Sequence, residues 1–188
     1  MARLIVATHP EVVVDPAIPV TDWRLSDAGR ARAEALARSD LLRSVGAIWS
    51  STERKARETA AILAAPRGLA VQTDARLGEN DRSATGYLPP SRFEAAADAF
   101  FAKPERSFRG WETAQAAQER IVTAVRAIVA GHAALDLAIV THGAVGTLLW
   151  CHLRDARIDR AFDQPGQGHL WCADLEGLFP DTGWRPFP

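Results

Sequence analysis

The chain has 188 residues and a mass of 20.4 kDa, about one domain's length with room for a substantial core. Hydrophobic residues make up 47% and charged residues 24%, a globular balance that excludes wholesale disorder. The 22 Lys and Arg against 23 Asp and Glu give a formal charge of −1, which argues against a broadly basic nucleic-acid surface but leaves room for a local cationic pocket.

Only two of those cations are lysines, Lys55 and Lys103; the rest are arginines, a ratio that mostly reflects base composition. Two cysteines, Cys151 and Cys172, are too few for a disulfide framework or a four-ligand zinc site, and their apolar neighbours suggest small buried thiols. The apolar run from Leu4 to Ala7 is too short for a signal-peptide core, and no run approaches a membrane span. The expectation is a soluble, cytoplasmic protein without a membrane or nucleic-acid partner; its oligomeric state is not legible.

Leu4-Ile5-Val6-Ala7-Thr8 reads as a buried strand ending at His9-Pro10. Ser26, as cap, opens a helix expected to run to about Arg43 and to bury Ala28, Ala31, Ala35, Leu36 and Leu42. Gly46 to Trp49 is the second strand, followed by the polar junction Ser50-Ser51 and a helix over about Thr52–Ala64, stopped by Pro66. Ala70 to Thr73 is a short third strand. The turn-rich stretch from Gly78 to Pro90 suits a site loop. Helices are expected at about Ser91–Ala102 and Glu112–Gly131, a strand over Leu137–Thr141 ending at His142-Gly143, and a helix over about Val145–Leu153. His169 to Asp174 reads as a last, edge-type strand, and Phe179, Trp184 and Phe187 in the C-terminal stretch read as packing residues. The alternation predicts an α/β fold, a mostly parallel sheet flanked by helices on both faces. One domain over residues 1–188 is expected, with a cap-like insertion at about 80–110.

In open α/β sheets ligands collect beyond the carboxyl ends of the strands. His9 and His142 each follow a strand directly, and Ser50-Ser51 opens, at the same edge, a helix carrying Arg54, Lys55 and Arg57 in its first turns. Two imidazoles, a cation and free helix amides on one rim suit a phosphoryl group. Taken singly, each has a plainer reading, as a loop hydrogen-bonder or a solvated charge. His132, His152 and His169 read as capping or packing residues.

These residues resemble a family. Leu4 through Pro10 is similar to the opening strand and Arg-His-Gly motif of the histidine phosphatase (phosphoglycerate mutase-like) superfamily, and Leu25-Ser26-Asp27-Ala28-Gly29 to its Leu-Thr-x-x-Gly helix start. Ser50 through Ala60 resembles its Ser-Ser-x-x-x-Arg-Ala-x-Gln-Thr-Ala stretch, Leu77-Gly78-Glu79 its acidic proton donor, and Val140-Thr141-His142-Gly143 its second histidine motif. The resemblance implies that His9 is the nucleophile, Glu79 the proton donor and later the activator of water, and His142 a phosphoryl ligand alongside Lys55. Thr8, Gly143 and Arg82 complete the expected phosphate-binding set; no metal or cofactor is expected, and the partner is a small phosphorylated substrate.

The chain departs from the family's pattern at three points. Thr8 stands where an arginine precedes the histidine, Lys55 replaces the arginine of the Ser-Ser helix, and Pro10 replaces glycine. Lysine keeps charge but loses the bidentate fork. A charge-assisted hydrogen bond is worth about 1.5–3 kcal/mol, so each uncompensated loss costs roughly ten- to a hundredfold. Arg82, and less readily Arg54, could compensate; Trp111 and Glu112 could face substrate or merely cap and pack the long helix. The leading expectation is a phosphatase cleaving a phosphomonoester through phosphohistidine. A catalytically weak or inactive fold that binds a phosphorylated ligand is the alternative, and mutase-type phosphotransfer the third. No P-loop, nucleophile elbow or His-Glu-x-x-His motif supports another class.

Overall fold

The structure, a computed structural model, describes residues 2–132 and 135–188. Its strands are β1 (Arg3–Thr8), β2 (Val45–Ser50), β3 (Val71–Thr73), β4 (Asp136–Thr141), β5 (His169–Asp174) and β6 (Arg185–Pro186). They form one sheet in the order β3-β2-β4-β1-β5-β6. The first four run parallel, whereas β5 and β6 are antiparallel additions at one side. The helices are α1 (Asp27–Arg38), α2 (Arg54–Ala64), α3 (Pro90–Ala102), α4 (Ala114–Ala130) and α5 (Gly143–Leu153).

The central strands are apolar on both faces because helices cover both. Leu4, Val6, Leu137 and Ile139 pack with Ile121 and Val125 of α4 and Leu148 of α5. Their neighbours Ile5, Ala7, Ala138 and Val140 point the other way, onto Leu36 of α1 and Leu63 of α2. Each such leucine or isoleucine, fully buried, contributes about 1.5–3 kcal/mol. At the start of the two central strands Asp136 is buried and accepts from the Arg3 backbone N–H at 2.8 Å, from its Nη2 at 2.7 Å and from its Nε at 3.1 Å. That clamp fixes β1 against β4 at the end away from the histidines.

Four expectations need correction. The first helix stops at Arg38, where the Ser39 hydroxyl donates to the Leu36 carbonyl at 2.8 Å, and a separate 3-10 turn covers Asp40–Leu42. Leu36 and Leu42 are buried as expected, but the helix otherwise buries Gly29, Ala33 and Ala37, leaving Ala28 and Ala31 exposed and Ala35 half-buried. An alanine-rich helix carries no stripe strong enough to choose its own face. The choice falls to Gly29, whose missing side chain admits the backbone of Glu11: a Cβ there would lie 2.2 Å from the Glu11 carbonyl oxygen. In the C-terminal stretch Phe187 is buried and Trp184 packs edge-on against Trp171, but Phe179 is exposed beneath the Arg154 guanidinium, 4.5 Å from its ring centroid. The short β6 pairs with His169 and Leu170, so β5 is covered there rather than being the outermost strand.

Both cysteines are buried, and burial raises their thiols above the ordinary range. Among the described residues no helix is long and apolar enough to cross a membrane.

Gly29→Ala forces the start of α1 away from the loop that follows β1. Overpacking of this kind costs about 1–3 kcal/mol, so the thermal midpoint should fall by roughly 2–12 °C. An unchanged midpoint in scanning calorimetry would contradict the close approach.

Candidate active site

In the parallel register of β1 and β4, Thr8 lies opposite Thr141. The chain therefore leaves the sheet at two adjacent points with His9 and His142, whose rings meet edge-on with centroids 5.3 Å apart. Beside them Ser50 pairs with Val140, and the Ser51 N–H donates to the Val140 carbonyl at 3.0 Å, bringing the start of α2 to the same edge. A cavity of about 510 Å³ opens there, with His9, Lys55, Glu79, Asn80, Arg82 and Gly143 on its wall.

His9 is buried, with Nδ1 2.9 Å from the Pro10 carbonyl oxygen. A carbonyl only accepts, so Nδ1 carries the proton and Nε2 keeps its lone pair. Burial, reinforced by the charge of Lys55, lowers the His9 pKa to about 4. The imidazole is thus neutral and nucleophilic at neutral pH. Proline in place of glycine leaves this bond intact, because it uses the carbonyl of residue 10 and not its N–H.

His142 is fully buried behind that wall. Its Nε2 lies 2.7 Å from the Ser51 hydroxyl and 3.3 Å from Glu53 Oε1. Burial holds its pKa well below the usual value, against the opposing pull of Glu53. Its Nδ1 and the Asn80 side-chain nitrogen are both buried without a hydrogen-bond partner. Buried polar atoms are nearly always paired, so both are unusual; Asn80 lies on the cavity wall and His142 behind it.

Glu79 lies at the N-terminus of α5. Its Oε1 accepts from the Val145 and Asn80 N–H groups, each at 3.2 Å, and its Oε2 from Ala144 at 3.4 Å. Burial nevertheless raises its pKa, although Arg82 pulls the other way. A carboxyl raised in this way can hold a proton to give. Its backbone is clamped by Arg120, which donates to the carbonyls of Arg76 at 2.7 Å, Gly78 at 3.0 Å and Glu79 at 3.2 Å while pairing with Glu112 at 2.7 Å. Glu112 therefore serves Glu79 through Arg120, and Trp111 lines the cavity with its indole N–H on Thr85 at 2.9 Å.

The cations are unequal. Lys55 is only 3% exposed; its Nζ donates to the Val20 carbonyl at 2.8 Å and to Glu53 Oε2. Arg82 lines the cavity with its guanidinium 5.0 Å from the Phe93 centroid and 5.8 Å from that of Trp111. Arg54 instead pairs with Glu58 on the exposed side of α2 at 2.8 Å. Thr8 is fully buried, and its hydroxyl donates to Gln164 Oε1 at 2.7 Å while accepting from the His169 N–H at 3.1 Å. Thr8 thus acts on the cavity through Gln164. Gly143 makes room for that glutamine, since a Cβ there would meet Gln164 Nε2 at 2.5 Å. The Nε2 of His132 lies 2.8 Å from the Leu135 carbonyl and that of His152 3.2 Å from Arg126, both outside the cavity wall. Among the described residues no group of three or more His, Cys, Asp or Glu side chains is arranged to hold a metal ion.

Four contributors escape sequence reasoning: Glu53, Asn80, Arg120 and Gln164. Glu53 looks like a charge complementing a helix start, and Arg120 like a solvated position in a long helix. Asn80, beside Glu79, sits in the stretch read as a site loop, but nothing in that composition singles it out from its polar neighbours. Gln164 arrives from a loop more than 150 residues from Thr8.

The model of the histidine phosphatase superfamily (branch 1) matches residues 16–171, which include Lys55, Glu79 and His142 and begin after His9. No curated protein sequence matches the chain. Among solved structures, a mycobacterial glucosyl-3-phosphoglycerate phosphatase in complex with inorganic phosphate is similar at 25% identity, covering 99% of this chain and 98% of that one, with a TM-score of 0.80. Bacillus stearothermophilus YhfR superposes at 23% identity over 98% and 96% of the two chains, with a TM-score of 0.79. A mutant phosphoserine phosphatase from Entamoeba histolytica, bound to phosphoserine, does so at 15% identity over 98% and 96%, also at 0.79. The family match covers most of the length of the chain, which belongs to the histidine phosphatase superfamily (branch 1).

Proposed function

We propose that the protein is a phosphatase that hydrolyses a small phosphomonoester through a phosphohistidine on His9. The observation that carries this reading is the fixed tautomer of His9, which presents a neutral Nε2 in a cavity that also holds a carboxyl whose pKa burial raises. The similar structures named above are, by name, a glucosyl-3-phosphoglycerate phosphatase and a phosphoserine phosphatase, which supports a phosphorylated small molecule as the substrate.

Nε2 of His9 attacks phosphorus, and the nitrogen–phosphorus bond forms as the bond to the leaving oxygen breaks. Glu79 gives that oxygen its proton. The same carboxylate then takes a proton from water as the water attacks phosphohistidine, releasing inorganic phosphate and the neutral imidazole. Lys55, Arg82 and the amide at Gly143 meet the developing charge on the phosphoryl oxygens, and His142 joins them once the bound anion lets its Nδ1 take a proton. Thr8 contributes by fixing Gln164. Residues 80–110, which bring Arg82, Phe93 and α3 to the cavity, act as the cap that selects the leaving group. A binding-only role draws support from the pairing of Lys55 with Glu53, which satisfies the cation before any ligand arrives.

His9→Ala should lower kcat/KM for p-nitrophenyl phosphate at least a thousandfold while still binding inorganic phosphate. Equal turnover by the two proteins sinks the mechanism; phosphate binding without turnover by the wild type establishes the binding-only role. The pH profile should be a bell. Its acid limb falls near pH 4 as His9 takes a proton, and its alkaline limb follows the loss of the Glu79 proton at a pH above the usual carboxylate value. Glu79→Gln should abolish the alkaline limb and lower kcat by about 10²–10⁴-fold for alkyl esters, with a smaller loss for aryl esters that leave without help. An alkaline limb that survives the substitution would assign it to another group.

A further inference from the structure

Glu53 occupies the centre of the charge arrangement without lining the cavity itself. Its side chain is 11% exposed, and both of its oxygens are engaged. Oε1 accepts from the Glu79 backbone N–H at 2.9 Å and faces His142 Nε2 at 3.3 Å; Oε2 accepts from Lys55 Nζ. One carboxylate thus touches the backbone of the general acid, the second histidine and the phosphate-side lysine. Burial opposes its charge, yet the N–H groups that face it from His142 and Glu79, with the ammonium of Lys55, outweigh burial and hold its pKa down at about 2, so it is ionised throughout the working range.

An ammonium has three N–H donors. Among the described residues, two of those on Lys55 are used, by Val20 and Glu53. One remains for the cavity, whose wall Lys55 forms in part. A buried cation without its counter-ion is costly to keep, and Glu53 removes that cost in the empty site. The same contact opposes anion binding, because a phosphoryl group must share the lysine with a resident carboxylate.

We propose that Glu53 is a positioning residue that serves as the internal counter-ion of Lys55, so that an incoming tetrahedral oxyanion takes the lysine over from the carboxylate. The inference rests on the reading of the cavity as a phosphoryl site. It also accounts for lysine at position 55: a flexible stem carrying a point charge can turn from Glu53 toward a ligand, whereas a planar guanidinium locked in a fork with the carboxylate would have to break two bonds at once.

The test is a double-mutant cycle read by calorimetric titration of inorganic phosphate into the full chain, using wild type, Glu53→Gln, Lys55→Met and the double variant. Glu53→Gln should tighten phosphate about tenfold, or about 1.4 kcal/mol. In the Lys55→Met background the same change should alter affinity less than twofold. Glu53→Asp keeps the charge but draws it back from Nζ, and should tighten phosphate several-fold with a thermal midpoint near that of the wild type. A role confined to holding the fold together would weaken phosphate binding or leave it unchanged in all three, and that result overturns the proposal. So does a full tenfold gain that persists without Lys55, which would mean a general field effect. Because phosphate binding needs no turnover, a wild type that binds but does not hydrolyse would refute the phosphatase reading and leave this one standing.

Discussion

The parallel pairing of β1 with β4 is the constraint on which the site depends. With Thr8 opposite Thr141, the residues that follow each strand emerge side by side, and both are histidines. The register is held at one end and on both faces. Arg3 and Asp136 clamp the strand starts. Along the strands, alternating residues are divided between two helical layers, so a slip of one residue would exchange Leu4 and Val6 with Ile5 and Ala7 and bring every side chain against the wrong helices. Positional accuracy at His9 and His142 is thus inherited from burial far from the chemistry.

Burial also sets the charges. Two histidines that would titrate near neutrality in water are held neutral, and two carboxyls are pushed apart, Glu53 down and Glu79 up. Their separation divides the roles open to them: Glu53 stays an anion facing Lys55, and Glu79, on the cavity wall, can hold a proton. The two are joined, since Glu53 accepts from the backbone N–H of Glu79. Arg120, paired with Glu112, holds the same backbone from the other side. Glu79 is therefore fixed by an anion and a cation that both lie outside the cavity wall.

Much of the frame was legible in the sequence because strands in a parallel sheet are short apolar runs and because residues at their carboxyl ends share one edge. That logic reached His9, His142, Lys55 and the helix that Lys55 opens, and the six-residue strand over His169–Asp174. It failed in the first helix, where alanines gave no preferred face and Ser39, an ordinary polar residue, ended the helix early. It also failed at Glu53, because a glutamate near a helix start has a sufficient explanation in the helix dipole and nothing local shows that it turns inward. Thr8 was visible only as a missing arginine. Its bond to Gln164 needed a contact across most of the chain, beyond the reach of any local pattern.

The measurement that bears most directly on the central claim is the covalent state of His9 during turnover. Rapid mixing with a phosphomonoester, quenching in base to preserve phosphohistidine, and peptide mass spectrometry should find one phosphate on the peptide containing His9, accumulating within the first turnover and removed by subsequent acid treatment. Turnover in the presence of ¹⁸O-water with no phosphate ever detected on His9, and none accumulating when water attack is slowed by Glu79→Gln with an aryl ester, would contradict the account.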